Sequence, residues 1–485
     1  MSKYVTFYSR DPYENFFIKI GKILREKYNL KILHIRELGD TKGEKVFQFE
    51  KWIKENWNDI DISYNNLVRL AKKYPKSNLM KILYSEREYN FYPKYFRVKP
   101  ISYEEQLKYL VGCFCAFENF FDRYNINYFI SELPTGLPHS VVYSICKKRA
   151  IRHISLRSSK LLDGIVMCDQ DFDLPFGMLN VYRSFLKDGI PGRYRKLAES
   201  HISKLESKII MPSYMQVAGK KFRLLELHRF RTFISLLRKK RYQVNNISRL
   251  RHPIRNRILW NIHRAINLIQ TRMYKSRWFC KDIPSDEKYF LYPLQYEPEA
   301  STLVQAYPFS EQLFVIQQIS KILPIGVNLI VKEHKSQEGY RKSEFYKELQ
   351  YLPNVKLFPP ETDMNSLINN SIGIITLTSR VGWEALVIGK PVIAIGVTFW
   401  TCFEKVKKPK SLAELKTMID ECVYSVKNNQ RCKYYEKLLA YTAAYISCTY
   451  EGNFIPGSYD FLRETNIENI ARAIFLELEN SPERL

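Results

Sequence analysis

Two hydrophobic rhythms alternate along the chain. Short, largely apolar runs occur at Tyr4–Tyr8, Lys31–Ile35, Tyr128–Ile130, His153–Leu156, Tyr289–Pro293, Asn328–Lys332, Val355–Leu357, Ile372–Leu377 and Val392–Ile395. Runs of this length suit parallel strands covered on both faces. Between them the pattern predicts helices over Asn15–Lys27, Gln106–Tyr124, His139–Arg149, Ser310–Lys321 and Met364–Asn369, and a helix starting at Val381–Leu386. Strands separated by helices imply a doubly wound parallel α/β sheet. The rhythm is lost from 170 to 285, where the chain becomes helical and basic, and it returns at Lys288.

The expected architecture is therefore α/β with two Rossmann-like lobes of GT-B type. Residues 1–170 form the N-terminal lobe on the acceptor side, 171–285 a basic helical linker or insertion, and 286–485 the C-terminal lobe on the nucleotide-sugar side. Substrate would sit between the lobes, where ligand clefts are favoured. One large α/β domain with a helical insertion is the alternative.

The 485 residues and 45% hydrophobic content support two or three ordinary cores. No apolar run is long enough for a transmembrane helix. The opening MSKYVTFYSRDPYENF has charges and aromatics where a signal peptide needs an apolar core. Nine scattered cysteines fit neither a zinc spacing nor a disulfide framework, so a reducing cytoplasm is expected. The net charge of +26 is concentrated: Lys220 to Lys281 holds eighteen Lys/Arg and one acid, Glu226. Apolar residues recur there at helical steps, the pattern of basic amphipathic helices. Such helices dock on an anionic membrane surface or a polyanionic acceptor, or pack on the protein as a solvated linker. Nucleic acid is the less favoured partner.

Four constellations carry candidate chemistry. After the first strand of the C-terminal lobe, Gln295, Glu297 and Glu299 are expected to face the cleft. Glu299 can accept from sugar hydroxyls or move a proton, or be a solvated acid at a helix start. At a second strand end, His334 can donate to a phosphate or ribose oxygen, with Lys332, Lys335 and Arg341 adding the positive charge a phosphate leaving group needs. An ordinary surface histidine is the alternative. The segment 371–396 runs strand, Thr378-Ser379 turn, helix start, Gly-Lys-Pro break and strand. Its hydroxyls and N–H groups suit phosphate, and Glu384, one turn in, can reach ribose hydroxyls; a plain N-cap is the alternative. In the N-terminal lobe, Glu132 ends a strand, followed by Thr135 and His139. Glu132 is the first choice as general base for an acceptor hydroxyl, with His139 its rival and helix capping the alternative. The charged aromatic loop 86–93 is a weaker candidate for sugar recognition. Asp169-Gln170-Asp171-Phe172-Asp173 reads as a solvated turn rather than a metal site. No P-loop or dinucleotide fingerprint is present. Neither a metal nor another cofactor is expected.

The order Leu291–Glu299, Lys332-Glu333-His334, then Thr378–Leu386 with Gly389-Lys390-Pro391-Val392 resembles the bacterial capsule polysaccharide biosynthesis proteins, which are GT-B-like and include Kdo transferases using CMP-activated sugar. The resemblance is firmest over about 288–400 and extends more weakly over 100–165. It implies a nucleotide site on the C-terminal lobe, with His334 on the donor phosphate or ribose, Thr378 and Ser379 on phosphate and Glu384 nearby. Two departures bear on it. Lys335 follows His334 where proline is usual, which weakens the case for CMP, and Arg380 occupies a turn where a small residue is usual. The expected function is a cytoplasmic glycosyltransferase, peripheral on the inner face of the plasma membrane, moving sugar from a nucleotide-sugar donor, CMP-sugar favoured, to a glycan or glycolipid acceptor. A nucleotide-sugar 2-epimerase and a non-catalytic capsule-assembly protein are the alternatives.

Overall fold

The computed structural model describes residues 4–10, 12–36, 46–90, 100–133, 136–169, 173–207, 253–283, 287–424 and 434–479. Thr135, the 91–93 part of the aromatic loop, residues 170–172 of the acidic turn and 208–252 of the basic segment lie outside them.

The expected strands assemble into two separate sheets, and both follow one winding rule. The N-terminal sheet contains β1 (Tyr4–Ser9), β2 (Lys31–Arg36), β3 (Val46–Gln48), β4 (Ile126–Glu132), β5 (Arg152–Ser158), β6 (Ile165–Asp169) and β7 (Leu174–Pro175), in the order β3-β2-β1-β4-β5-β6-β7. The first five are parallel; β6 and β7 are added antiparallel. The second sheet contains β8 (Lys288–Pro293), β9 (Val327–Lys332), β10 (Val355–Phe358), β11 (Gly373–Thr376), β12 (Val392–Ala394) and β13 (Val406–Lys407), all parallel, in the order β10-β9-β8-β11-β12-β13. In each sheet the winding reverses beside the first strand, between β1 and β4 and between β8 and β11. A crevice opens at the carboxyl ends of the strands at such a point, because successive crossovers leave for opposite faces. The fold is thus two Rossmann-like lobes, as the hydrophobic pattern predicts.

The helices agree with the periodicity to within a few residues, and their ends have local causes. The helix Tyr103–Arg123 begins on a capping box, in which the Ser102 hydroxyl accepts from Glu105 N while the Glu105 carboxylate accepts from Ser102 N. The helix Val381–Ile388 stops at Gly389, whose φ of 93° is left-handed, and Pro391 follows. Gly382 in that helix is required by contact: a Cβ there would stand 2.5 Å from the Trp400 ring.

Packing across the two sheets was not visible in the pattern. The last described helix, Glu464–Glu479, returns to the N-terminal lobe and lies against the helix Glu14–Tyr28. Tyr28 stacks on Phe475 at 4.2 Å and Phe16 on Phe461 at 4.5 Å, and Arg152 Nη2 donates to Glu477 Oε1 at 2.6 Å. The helices Met178–Asp188 and Gly192–Ser207 instead pack on Tyr435–Ser447 and share the core of the second sheet. The acidic turn is not solvated at its end. Asp173 is buried, pairs with Arg157 and accepts from Thr398 Oγ1 at 3.0 Å. A carboxylate beside a buried guanidinium and a hydroxyl is compensated without water, which outweighs its preference for solvent. It ties the N-terminal sheet to the loop after β12.

Candidate functional site

The reversal between β8 and β11 places two site loops side by side. Gln295 follows β8 and Thr378 follows β11. The Gln295 amide bonds both ways: Nε2 donates to Thr378 Oγ1 at 2.7 Å, and Oε1 accepts from Thr378 N at 3.2 Å. Gln312 holds Gln295 from behind through its backbone, at 2.8 and 3.1 Å. Thr378 Oγ1 also donates to Ser301 O at 3.3 Å. Ser379 Oγ accepts from Val381 N at 3.3 Å, the geometry of a helix-start hydroxyl. These hydroxyls therefore build the turn, in which Ser379 N donates to Thr376 Oγ1 at 3.2 Å and Gly382 N to Ser379 O at 3.0 Å.

Beneath these loops is a buried ion cluster. Arg341 is 1% exposed. Its Nη1 pairs with Glu297, its Nε donates to Glu333 Oε2 at 3.1 Å and its Nη2 donates to Gln295 O at 2.8 Å. Tyr346 OH donates to Glu333 Oε2 at 2.9 Å. Glu297 thus points inward, not to the cleft. Burial holds its carboxyl above the ordinary range, while Arg341 works in the opposite direction. Gln337 Nε2 donates to Glu297 O at 3.3 Å, joining the 295–299 and 333–337 loops.

His334 stands on the second of these loops. Its Nδ1 accepts from Ser336 N at 3.1 Å, and burial lowers its pKa to about 4. The ring is neutral near pH 7 with its proton on Nε2, so Nε2–H is a donor. Lys332 is buried, and its Nζ donates to Pro360 O at 2.9 Å, beyond the end of β10. Glu299 is exposed and caps the helix Ala300–Leu303, accepting from Ser301 Oγ at 2.9 Å.

Arg380 and Glu384 share the first turn of the helix Val381–Ile388. Arg380 Nε lies 3.5 Å from Glu384 Oε1, and its side chain is 12% exposed. Its buried Nε and Nη1 make no hydrogen bond. Burial raises the Glu384 carboxyl from 4.5 to about 7, with Arg380 opposing. His201, from the helix Gly192–Ser207, is buried and lowered to about 4, first by burial and then by the Arg380 charge. Because the folded pKa of Glu384 is raised, its share of stability is full below 4.5 and is lost as pH climbs through about 7. The gap corresponds to about 3 kcal/mol. Glu384→Gln is therefore expected to raise the thermal midpoint by several degrees at pH 8 and by clearly less at pH 5.5, as read by scanning calorimetry at both values.

The reversal in the N-terminal sheet holds the other group. Glu132, at the end of β4, pairs with Arg10, which follows β1. His139 Nε2 makes no hydrogen bond and lies 3.7 Å from Glu132 Oε1. Burial, and next the Arg10 charge, hold His139 well below its usual pKa, so it is neutral. Its ring packs on Tyr8 at 4.2 Å.

A cavity lies between the two lobes. Leu133, Ser140, Tyr143 and Lys147 line it from the N-terminal side, and Gln305 and Val397 from the C-terminal side. Leu133 adjoins Glu132. Val397 adjoins Gly396, where an added Cβ would stand 2.6 Å from Thr378 Cγ2. The structure thus brings Gln295, Thr378, Ser379, Arg380 and Glu384 to one sheet edge, His334 and Glu299 onto the adjoining loops, and Glu132 to the opposite lobe. Lys332 is at the same edge but turned toward Pro360. Arg10, Gln312 and the buried role of Arg341 were missed in the sequence, since each depends on a long-range partner. Among the described residues, no group of three or more His, Cys, Asp or Glu is placed to hold a metal ion.

Comparison with known proteins agrees with the resemblance read from the sequence. The family model described as capsule polysaccharide biosynthesis protein matches residues 215–416. No curated protein matches the chain. Solved structures similar to it include a Thermosulfurimonas dismutans KpsC, beta Kdo 2,7 transferase, at 12% identity, covering 74% of this chain and 89% of that one, with a TM-score of 0.35. Anabaena Alr3699/HepE in complex with UDP is 12% identical, covering 99% and 100%, with a TM-score of 0.30. UDP-GlcNAc 2-epimerase from Neisseria meningitidis is 12% identical over 99% and 100%, with a TM-score of 0.24.

Proposed function

We propose that this chain, related over residues 215–416 to the capsule polysaccharide biosynthesis proteins, is a glycosyltransferase that transfers sugar from a nucleotide-sugar donor to a glycan or glycolipid acceptor. The observation that carries the reading is the Gln295–Thr378 bridge at the β8/β11 reversal. Nucleotides bind at such reversals because helix-start N–H groups converge there on phosphate.

In this reading the donor lies along the carboxyl edge of the second sheet. His334 Nε2–H donates to a phosphate or ribose oxygen. The Arg380 guanidinium meets the charge that grows on the leaving phosphate, beside the Thr378 and Ser379 hydroxyls of the same turn. Lys332 adds positive charge at the same edge, and Glu384 meets ribose hydroxyls. Glu299 accepts from hydroxyls of the sugar. The acceptor enters from the N-terminal lobe, where Glu132, held by Arg10, takes the proton from its hydroxyl. We favour a CMP-sugar as donor, and a cytoplasmic site of action on the inner face of the plasma membrane.

Thermal-shift measurements with CMP, UDP, GDP and CDP test the donor class. The correct nucleotide raises the midpoint by mass action, by about 2.7 kcal/mol of apparent stability at one hundred times its Kd. No shift with any of the four would remove the nucleotide site. His334→Ala is expected to weaken binding of the responding nucleotide roughly ten- to hundred-fold, the loss of a hydrogen bond to a charged oxygen at about 1.5–3 kcal/mol. Unchanged affinity by titration calorimetry would remove His334 from the site.

A further inference from the structure

The helix Pro253–Met273 lies on the C-terminal lobe and carries two faces that differ in kind. One face is committed to the lobe. Asn267 and Leu268 are buried, Asn267 Nδ2 donates to Gly339 O at 3.3 Å, and the Arg264 guanidinium stands 4.3 Å over the Tyr340 ring. The other face presents Ile258, Ile262, Ile266, Ile269 and Met273, which are 46, 49, 44, 53 and 69% exposed. At 3.6 residues per turn these five project within a sector of about 80° and extend over about 22 Å. A helix on a globular protein normally buries its one apolar stripe. Here the buried face is used and a second apolar stripe is left in solvent, the mark of an interaction surface.

The charge around the stripe selects its occupant. Residues 253–281 contain seven Lys/Arg and no Asp or Glu. Arg272, Lys275 and Arg277 are exposed at the end of the stripe near Met273. Arg272 and Lys275 reach Glu338 at 3.3 Å and Glu361 at 3.1 Å, and these two acids leave the segment strongly positive. A second copy docked stripe to stripe would set two such positive segments against each other, and like-charge juxtaposition opposes that contact. An anionic lipid surface accepts both the isoleucines and the flanking cations. No helix among the described residues is long and apolar enough to cross a membrane. We propose that the Ile258–Met273 stripe is a docking face that inserts shallowly into an anionic bilayer surface.

The test uses the full chain and sedimentation with vesicles of phosphatidylglycerol and phosphatidylcholine, or of phosphatidylcholine alone. The expected result is binding to the mixed vesicles that is at least tenfold stronger than to pure phosphatidylcholine. The triple variant Ile262→Ser, Ile266→Ser, Ile269→Ser is expected to lose at least tenfold of that binding with its thermal midpoint unchanged. The single variant Ile266→Glu is expected to lose binding in the same direction, which guards against a folding defect in the triple. Equal partitioning of wild type and both variants would overturn the proposal. So would equal binding to both vesicle types. A fall in solution mass of the triple variant, with vesicle binding intact, would assign the stripe to a contact between copies and also overturn it. Because none of these measurements depends on nucleotide or turnover, their failure is distinguishable from failure of the glycosyltransferase reading.

Discussion

Arg341→Ala is expected to lower the thermal midpoint of the C-terminal lobe sharply and to abolish nucleotide binding with it. Arg341 is 1% exposed and meets Glu297, Glu333 and Gln295 O together. Removing one partner of a buried ion pair costs about 3–5 kcal/mol, because the remaining charge is left in a low-dielectric site. Here two carboxylates lose their counter-charge at once. The same substitution releases the loop that carries Gln295 and the loop that carries His334. Denaturant unfolding and nucleotide calorimetry on the same samples check both effects. Glu297→Gln and Glu333→Gln, added to Arg341→Met, remove the charges while keeping the volume, and this variant is expected to recover most of the lost stability. A midpoint unchanged in Arg341→Ala would show that the cluster contributes nothing to folding.

Glu132→Gln is expected to reduce turnover by about 10²–10⁴, the usual contribution of a positioned general base, while nucleotide affinity stays as in the wild type. The separation follows from place: Glu132 belongs to the N-terminal sheet, and the proposed nucleotide contacts belong to the second sheet. Glutamine keeps the side-chain shape and an acceptor for Arg10 but cannot take a proton at neutral pH. Wild-type turnover in Glu132→Gln would remove Glu132 from the mechanism. His139→Asn then separates the rival, since His139 lies 3.7 Å from Glu132 and is neutral.

Much of this was legible before the fold was known, for a specific reason. A parallel strand buried on both faces reads as an apolar run, and a crossover helix reads as a 3.6-residue period; both are local. Gly389-Lys390-Pro391 ends a helix by backbone conformation alone. Strand ends are therefore readable, and with them Gln295, His334, Thr378 and Glu132, which stand at or just beyond β8, β9, β11 and β4.

What such patterns do not carry is the identity of a partner far along the chain. Glu297 and Glu299 are two residues apart, and spacing treats them alike. Only the fold buries Glu297 against Arg341, 44 positions away, and leaves Glu299 exposed as a cap. Asp173 reads as one of several acids in a turn until Arg157 and Thr398 close around it. Arg380, the unusual residue of the turn, is not spent in a full ion pair: two of its nitrogens are buried without a hydrogen bond beside Glu384.

The sequence by itself determined two doubly wound lobes, their strand ends, and a basic middle. Strand order, burial and charge compensation were decided by tertiary structure. Whether a carboxylate is a base, a cap or half of a buried pair depends on which guanidinium the fold brings within about 3 Å of it, and that distance is set by packing between elements rather than by any spacing within one.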